Sequence, residues 1–437
     1  MFSAPARTDH RRFAMKRSAL IIALIGVSLL ATFAWGQALP TATPEEVGLS
    51  SPRLARATEV VKGEIAKGRY PGAVAIVARR GKIAYFEALG QRDPQTGAPM
   101  TKDAIFRLYS MTKPFTSVAM MMLVEDGRVV LSDPVSKYLP KLNGLQVIVP
   151  QRDAQPGRTG SVLVKSDREM TIQDLLRHTS GLVYGGLTAN GEVKELYARE
   201  GVDWYGVTPA EQIERLSRVP LAHQPGSAWE YGLSTDVAGR VIEVVSGVTL
   251  GQFLQERVWS PLEMTDTSFK VPDGKTTRLA QPFSKDPVTG QDVALLDVTV
   301  AQKNDAGGAG SAGTASDYAR FCQMMLNGGQ LDGARLLGRA TVAHMTADHL
   351  GDIRVASPTL APGYGFGLGF AVRRATGINP MTGSAGEYRW GGAAGTAFWI
   401  DPKEQTVVVW MTQGQPGPRR SEDRDLFRQL VEAAIVD

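Results

Sequence analysis

Strand-type sequence stands at both ends of this 437-residue chain and helix-type sequence fills its middle, an order that few architectures accommodate. Near the start, residues 73–78 and 82–88 are β-rich runs separated only by Arg79-Arg80-Gly81, a hairpin signal. Near the end, residues 364–372, 388–390, 396–400 and 405–412 return to that pattern, and a helical period follows over 423–435. A helix is also predicted over 50–67, closed by Gly68, and others over 171–177, 209–218, 234–245, 250–258 and 316–326. Strands that distant in sequence bury their apolar faces most economically in one shared sheet. The predicted class is therefore α+β: an antiparallel sheet flanked by N- and C-terminal helices, with an all-helical lobe inserted. The α/β part covers about residues 39–108 and 305–437, and the lobe about 109–304. Residues 144–167 are poorly patterned and predict a surface excursion.

The first 38 residues stand apart. Lys16-Arg17 precede an apolar run from Ala19 to Trp35, and small residues follow at Gly36 and Ala38, the layout of a secretory signal peptide. Residues 39–437 are then one domain, periplasmic or secreted, with no stable membrane insertion after cleavage. An uncleaved anchor is the competing reading. The leader holds five basic residues against Asp9, and the chain as a whole carries +4, so the remainder balances 43 basic with 43 acidic residues. No basic tract follows, which argues against a nucleic-acid partner. Cys322 is the only cysteine, so no intramolecular disulfide can form, and its apolar surroundings predict a buried, inert thiol. The four histidines after the leader are scattered, and neither a metal nor a cofactor is implied.

Chemistry concentrates at Ser110-Met111-Thr112-Lys113. A spacing of three places hydroxyl and amine on one helix face. Phe115, Val118, Ala119, Met122 and Leu123 follow helical periodicity, while Met120, Met121 and Val124 cover the other faces. A helix apolar all round is a buried helix. Keeping an amine charged there is costly, and an amine that has lost its proton can take one from serine. Other nucleophile patterns fail: Ala309-Gly310-Ser311-Ala312-Gly313 and Thr382-Gly383-Ser384-Ala385-Gly386 each miss the first glycine of G-x-S-x-G. His178 precedes Thr179-Ser180-Gly181 and fits a turn-fixing residue better than a catalytic one.

Two further segments complete a candidate site. Pro225 to Gly232 is a loop that delivers Tyr231 just before a helix, and a phenol beside an ammonium loses its proton more readily than its usual value near 10 suggests. Trp390-Gly391-Gly392-Ala393-Ala394-Gly395 follows a strand with small residues, which lets a backbone N–H approach a ligand as an oxyanion hole requires.

Ser110-Met111-Thr112-Lys113, Tyr231-Gly232-Leu233 and Trp390-Gly391-Gly392 resemble, in that order, the S-x-x-K, Y-x-N/S and K-T-G motifs of the serine β-lactamase and penicillin-binding superfamily, most of all its class C-like branch. Thr179 to Leu182 and Ala315 to Tyr318 match further blocks, and the resemblance runs from about Val47 to the C-terminus. It implies a β-lactamase-like fold with Ser110 as nucleophile, Lys113 and Tyr231 sharing its proton, and the N–H groups of Ser110 and Ala393 as oxyanion hole. Two departures matter. Trp390 replaces the lysine that sits near a lactam carboxylate, and Leu233 replaces an asparagine that bonds a lactam side chain. W-G-G is similar to the family VIII carboxylesterases, which implies hydrolysis of short-chain esters with weak β-lactam hydrolysis alongside. Trp390, Gly391, Gly392 and Leu233 are then expected to bind substrate. A class C β-lactamase or DD-peptidase is the alternative, and which of Lys113 and Tyr231 acts as base stays open.

Overall fold

The computed structural model describes residues 39–151, 160–417 and 419–437. The expected leader lies outside them. An eight-stranded sheet runs in the spatial order Tyr364–Phe366, Ala371–Arg373, Tyr388–Gly391, Ala397–Asp401, Thr406–Thr412, Gly72–Arg79, Lys82–Asp93 and Ala98–Pro99. Every neighbouring pair in it is antiparallel. The two ends of the chain meet where Gly72–Arg79 pairs with Thr406–Thr412, in a register that sets Ala73 opposite Thr412 and Arg79 opposite Thr406.

Gly72–Arg79 is buried at every position, which explains its unbroken apolar run. Val74, Ile76 and Ala78 face one core, while Ala73, Ala75 and Val77 face another. Thr406–Thr412 alternates likewise, with Val407, Val409 and Met411 on one side and Val408 and Trp410 on the other. The smaller core lies under helices Ser51–Ala66 and Arg419–Glu432, through Leu54, Ala57, Val61, Phe427 and Val431. The larger core joins the sheet to the helical part, and helix Thr112–Glu125 runs through it with every residue from Thr112 to Leu123 buried. Gly127, at φ 71°, ends the turn after that helix.

Two expectations fail locally. Residues 144–167 are not an unpatterned excursion, because Gln146–Pro150 pairs antiparallel with Ser161–Lys165. The two β-branched stretches are joined by too long a polar connection to give a short-turn signal. The run over 364–372 is two strands, bent apart at Gly367–Gly369, where Gly369 has φ 97° and a Cβ would lie 2.3 Å from Ser117 Oγ. Helix Gly191–Arg199, capped by the Asn190 side chain, was not expected from the sequence.

Candidate active site

Ser110 sits where a short strand ends and the buried helix begins. Phe106–Arg107 pairs with Ala312–Gly313, a single turn over Tyr109–Met111 follows, and helix Thr112–Glu125 starts. Tyr109 holds φ 47°, a conformation uncommon outside glycine. Its phenol oxygen accepts the Leu296 N–H at 2.9 Å, and its ring packs near Trp204. The residue before the nucleophile is thus fixed from the side chain outward.

Lys113 is fully buried. Its amine lies 2.7 Å from the Gly308 carbonyl, 3.1 Å from the Tyr184 hydroxyl and 3.4 Å from Ser110 Oγ. It stands 4.5 Å from the centre of the Tyr231 ring. Tyr231 donates to Ser110 Oγ at 2.7 Å. The indole N–H of Trp390 approaches the Tyr231 oxygen at 3.4 Å, with the two rings 5.2 Å apart. Ser110, Lys113, Tyr231 and Trp390 therefore form one cluster.

Glycines make the cluster's close approaches possible. A Cβ at Gly232 would meet the Leu182 carbonyl at 2.3 Å, so Gly232 lets the Tyr231 loop pass the segment that carries Tyr184. A Cβ at Gly392 would lie 2.2 Å from Thr396 Oγ1 and 2.3 Å from the Leu108 carbonyl. Strand Tyr388–Gly391 and the turn after it can thus run against the backbone that leads into Ser110. Among the described residues, the N–H groups of Ser110 and Ala393 have no acceptor, and Ala393 is exposed. A Cβ at Gly391 would meet Arg424 Nη1 of the C-terminal helix and the Thr396 carbonyl. Leu233 is 2% exposed and packs in the large core, so it offers almost no surface to a ligand. A leucine after a turn reads equally well as pocket or core, and here packing wins.

His178 takes no part in the cluster's hydrogen bonds to Ser110. Buried at φ 57°, it accepts the Gly232 N–H at Nδ1 (3.4 Å), pairs Nε2 with Thr235 Oγ1, and packs its ring, tilted by 50°, against that of Tyr231. Burial, then the nearby Lys113, hold it well below the usual imidazole range. A neutral ring there fixes the loop that presents Tyr231. Tyr184 and Asp236 join the site without having been expected in it. Tyr184 donates to Asp236 Oδ2 at 3.1 Å, and the Gly308 N–H donates to Oδ1 at 3.0 Å. Burial pushes the Tyr184 phenol well up, and raises the Asp236 carboxyl against the opposing pull of Lys113. An acid in the first turn of an apolar helix was the one available signal for Asp236.

The arrangement offers a hydroxyl between an amine and a phenol, beside two backbone N–H groups. Comparison with known proteins identifies the family. The beta-lactamase family model matches residues 57–433. Protein Rv1367c of Mycobacterium tuberculosis is 33% identical over 366 residues, covering 80% of this chain and 87% of its own. Esterase EstB of Burkholderia gladioli is 32% identical over 397 residues, covering 85% and 94%. Among solved structures, EstCE1, a hydrolase with promiscuous acyltransferase activity, superposes with a TM-score of 0.72 at 27% identity, covering 87% of this chain and 98% of its own.

Proposed function

The chain belongs to the beta-lactamase family, and on that premise we propose that it is a serine carboxylesterase, cleaving esters of short acyl chains through an acyl-Ser110 intermediate. One observation carries the reading: Ser110 Oγ is met at 2.7 Å by the Tyr231 hydroxyl and at 3.4 Å by the Lys113 amine. Ser110 attacks the ester carbonyl carbon while its proton passes to the Lys113–Tyr231 pair. The carbonyl electrons shift onto oxygen, where the N–H groups of Ser110 and Ala393 receive the charge. Collapse expels the alcohol, which takes a proton through Tyr231. Water then attacks the acyl-Ser110 carbonyl with the same groups working in reverse, releasing the acid and restoring the hydroxyl.

The preference for esters over lactams rests on Trp390. Its indole stands against Tyr231 where the lactamase pattern carries a cation, so the opening has an aromatic wall in place of a carboxylate anchor. Weak action on cephalosporins belongs to the same reading. Two relatives that bear the word esterase or hydrolase in their names support it. The test is turnover of p-nitrophenyl butyrate against nitrocefin by the purified protein. The ester is hydrolysed far faster, and a clear preference for nitrocefin would overturn the assignment.

A further inference from the structure

We infer that Asp236 and Trp390 fix the direction of a single hydrogen-bonded chain through the site, so that Lys113 receives the Ser110 proton and Tyr231 donates to the serine oxygen. The inference rests on the esterase reading above and goes one step deeper, to the roles within the pair. Its elements are the donor and acceptor capacities of the two ends. An indole N–H can only donate, and an ionised carboxylate can only accept.

From the Trp390 end, the indole N–H takes one lone pair of the Tyr231 oxygen (3.4 Å), and the phenol donates its own proton to Ser110 Oγ (2.7 Å). With that contact made, the Ser110 hydrogen is directed to the remaining neighbour, the Lys113 amine at 3.4 Å. From the other end, Asp236 accepts the Tyr184 hydroxyl at Oδ2, so the phenol oxygen shows Lys113 only lone pairs. Asp236 Oδ1 accepts the Gly308 N–H, which orients the peptide whose carbonyl is the amine's closest partner, at 2.7 Å. A side chain that never touches Ser110 thus governs both of the lysine's other contacts. An amine with two hydrogens spends them on Gly308 and Tyr184, and its lone pair is left facing Ser110. Once the serine proton arrives, the ammonium has three N–H bonds and three acceptors. Both states of the step are satisfied without rearrangement.

Gly308 reports how tightly this end is built. A Cβ there would lie 2.3 Å from Asp236 Oδ2 and 2.8 Å from the Tyr184 oxygen. Asp236 is 4% exposed, and its two carboxyl oxygens are met by the Gly308 N–H and the Tyr184 hydroxyl.

Asp236 and Tyr184 are therefore positioning residues, and the two obvious variants are expected to differ. In Asp236→Asn the amide oxygen keeps the Gly308 N–H, so the amide N–H₂ faces Tyr184 and donates to it. The Tyr184 hydroxyl must then turn its own hydrogen to Lys113, occupying the lone pair that Ser110 needs. Tyr184→Phe deletes one contact without reversing any. The experiment is the rate and the amplitude of Ser110 labelling by a fluorophosphonate, with the kcat and KM of p-nitrophenyl butyrate hydrolysis. Asp236→Asn should slow labelling and kcat about 100-fold, and Tyr184→Phe about tenfold, with KM and labelling amplitude near wild type. A loss of amplitude at unchanged rate, or wild-type rates in both variants, would overturn the proposal. If Asp236→Asn does not fold, Tyr184→Phe decides alone, a wild-type rate counting against the chain. Residual turnover in Ser110→Ala would instead sink the serine mechanism itself.

Discussion

Tyr231 and Ser110 lie 121 positions apart in sequence, yet the phenol of one donates to the hydroxyl of the other at 2.7 Å. The contact needs the helical part, which carries Tyr231, to be docked on the turn that carries Ser110. Catalysis is therefore a property of the assembled fold.

Ser110→Ala should remove p-nitrophenyl butyrate hydrolysis by about 10⁴-fold or more, because the acyl ester cannot form without the Ser110 hydroxyl. Ser110 is only half-buried and is absent from the core clusters, so the far- and near-UV circular dichroism should match wild type. Substantial turnover by a folded variant would count against an acyl-Ser110 intermediate.

Lys113→Met keeps the buried volume and deletes the amine. The expected loss in kcat is about 10²–10⁴-fold, the range for a missing general base. The melting temperature should fall by a few degrees, since the buried Gly308 carbonyl loses its donor at 2.7 Å. A variant that keeps wild-type kcat would assign proton transfer to Tyr231 alone.

Gly392→Ala tests the close approach after the W-G-G strand. The added methyl meets Thr396 Oγ1 and the Leu108 carbonyl, so the turn must shift and carry the Ala393 N–H with it. Loss of one oxyanion donor costs about 10²–10³-fold in kcat. Unchanged steady-state kinetics would exclude Ala393 from that role.

Asp174 supplies the acid-stability prediction. Burial alone would raise its carboxyl, but Arg168, the Thr171 N–H and the Thr179 hydroxyl outweigh that and bring it down to about 2 from the usual 3.8. The folded state thus favours the carboxylate. That stabilisation is complete above pH ~4 and disappears as pH falls through ~2. Because Arg168 is partly exposed, its worth is about 1–2 kcal/mol. Asp174→Asn should lower stability by that amount near neutrality, and urea unfolding curves of variant and wild type should converge towards pH 2. A constant gap across the whole range would contradict the linkage.

The sequence made parts of this molecule readable and hid others for physical reasons. Ser110 and Lys113 were legible because one helical turn brings them together whatever the tertiary structure does. The sheet was legible because Gly72–Arg79 and Thr406–Thr412 are apolar on both faces. Tyr184 was hidden, since its bond to Lys113 spans 71 residues and its loop has no periodicity. Asp236 was visible as an acid in a helix's first turn but not as a partner, because only the docked 307–308 segment gives its carboxylate a task. Leu233 shows the remaining ambiguity: an apolar residue beside a functional tyrosine carries no mark that separates ligand surface from core.

Pairing the chain's two ends in the middle of the sheet also has a consequence for biosynthesis. The Thr412 hydroxyl bonds the Gly72 carbonyl across 340 positions, so a ribosome delivers one edge of the central ladder long before its mate. In the interval the early hairpin presents an apolar, unsatisfied edge, the kind of surface that invites aggregation. A nascent chain of this design stays inactive until residues 406–412 have emerged, and its yield in a cell depends on how well that waiting hairpin is shielded.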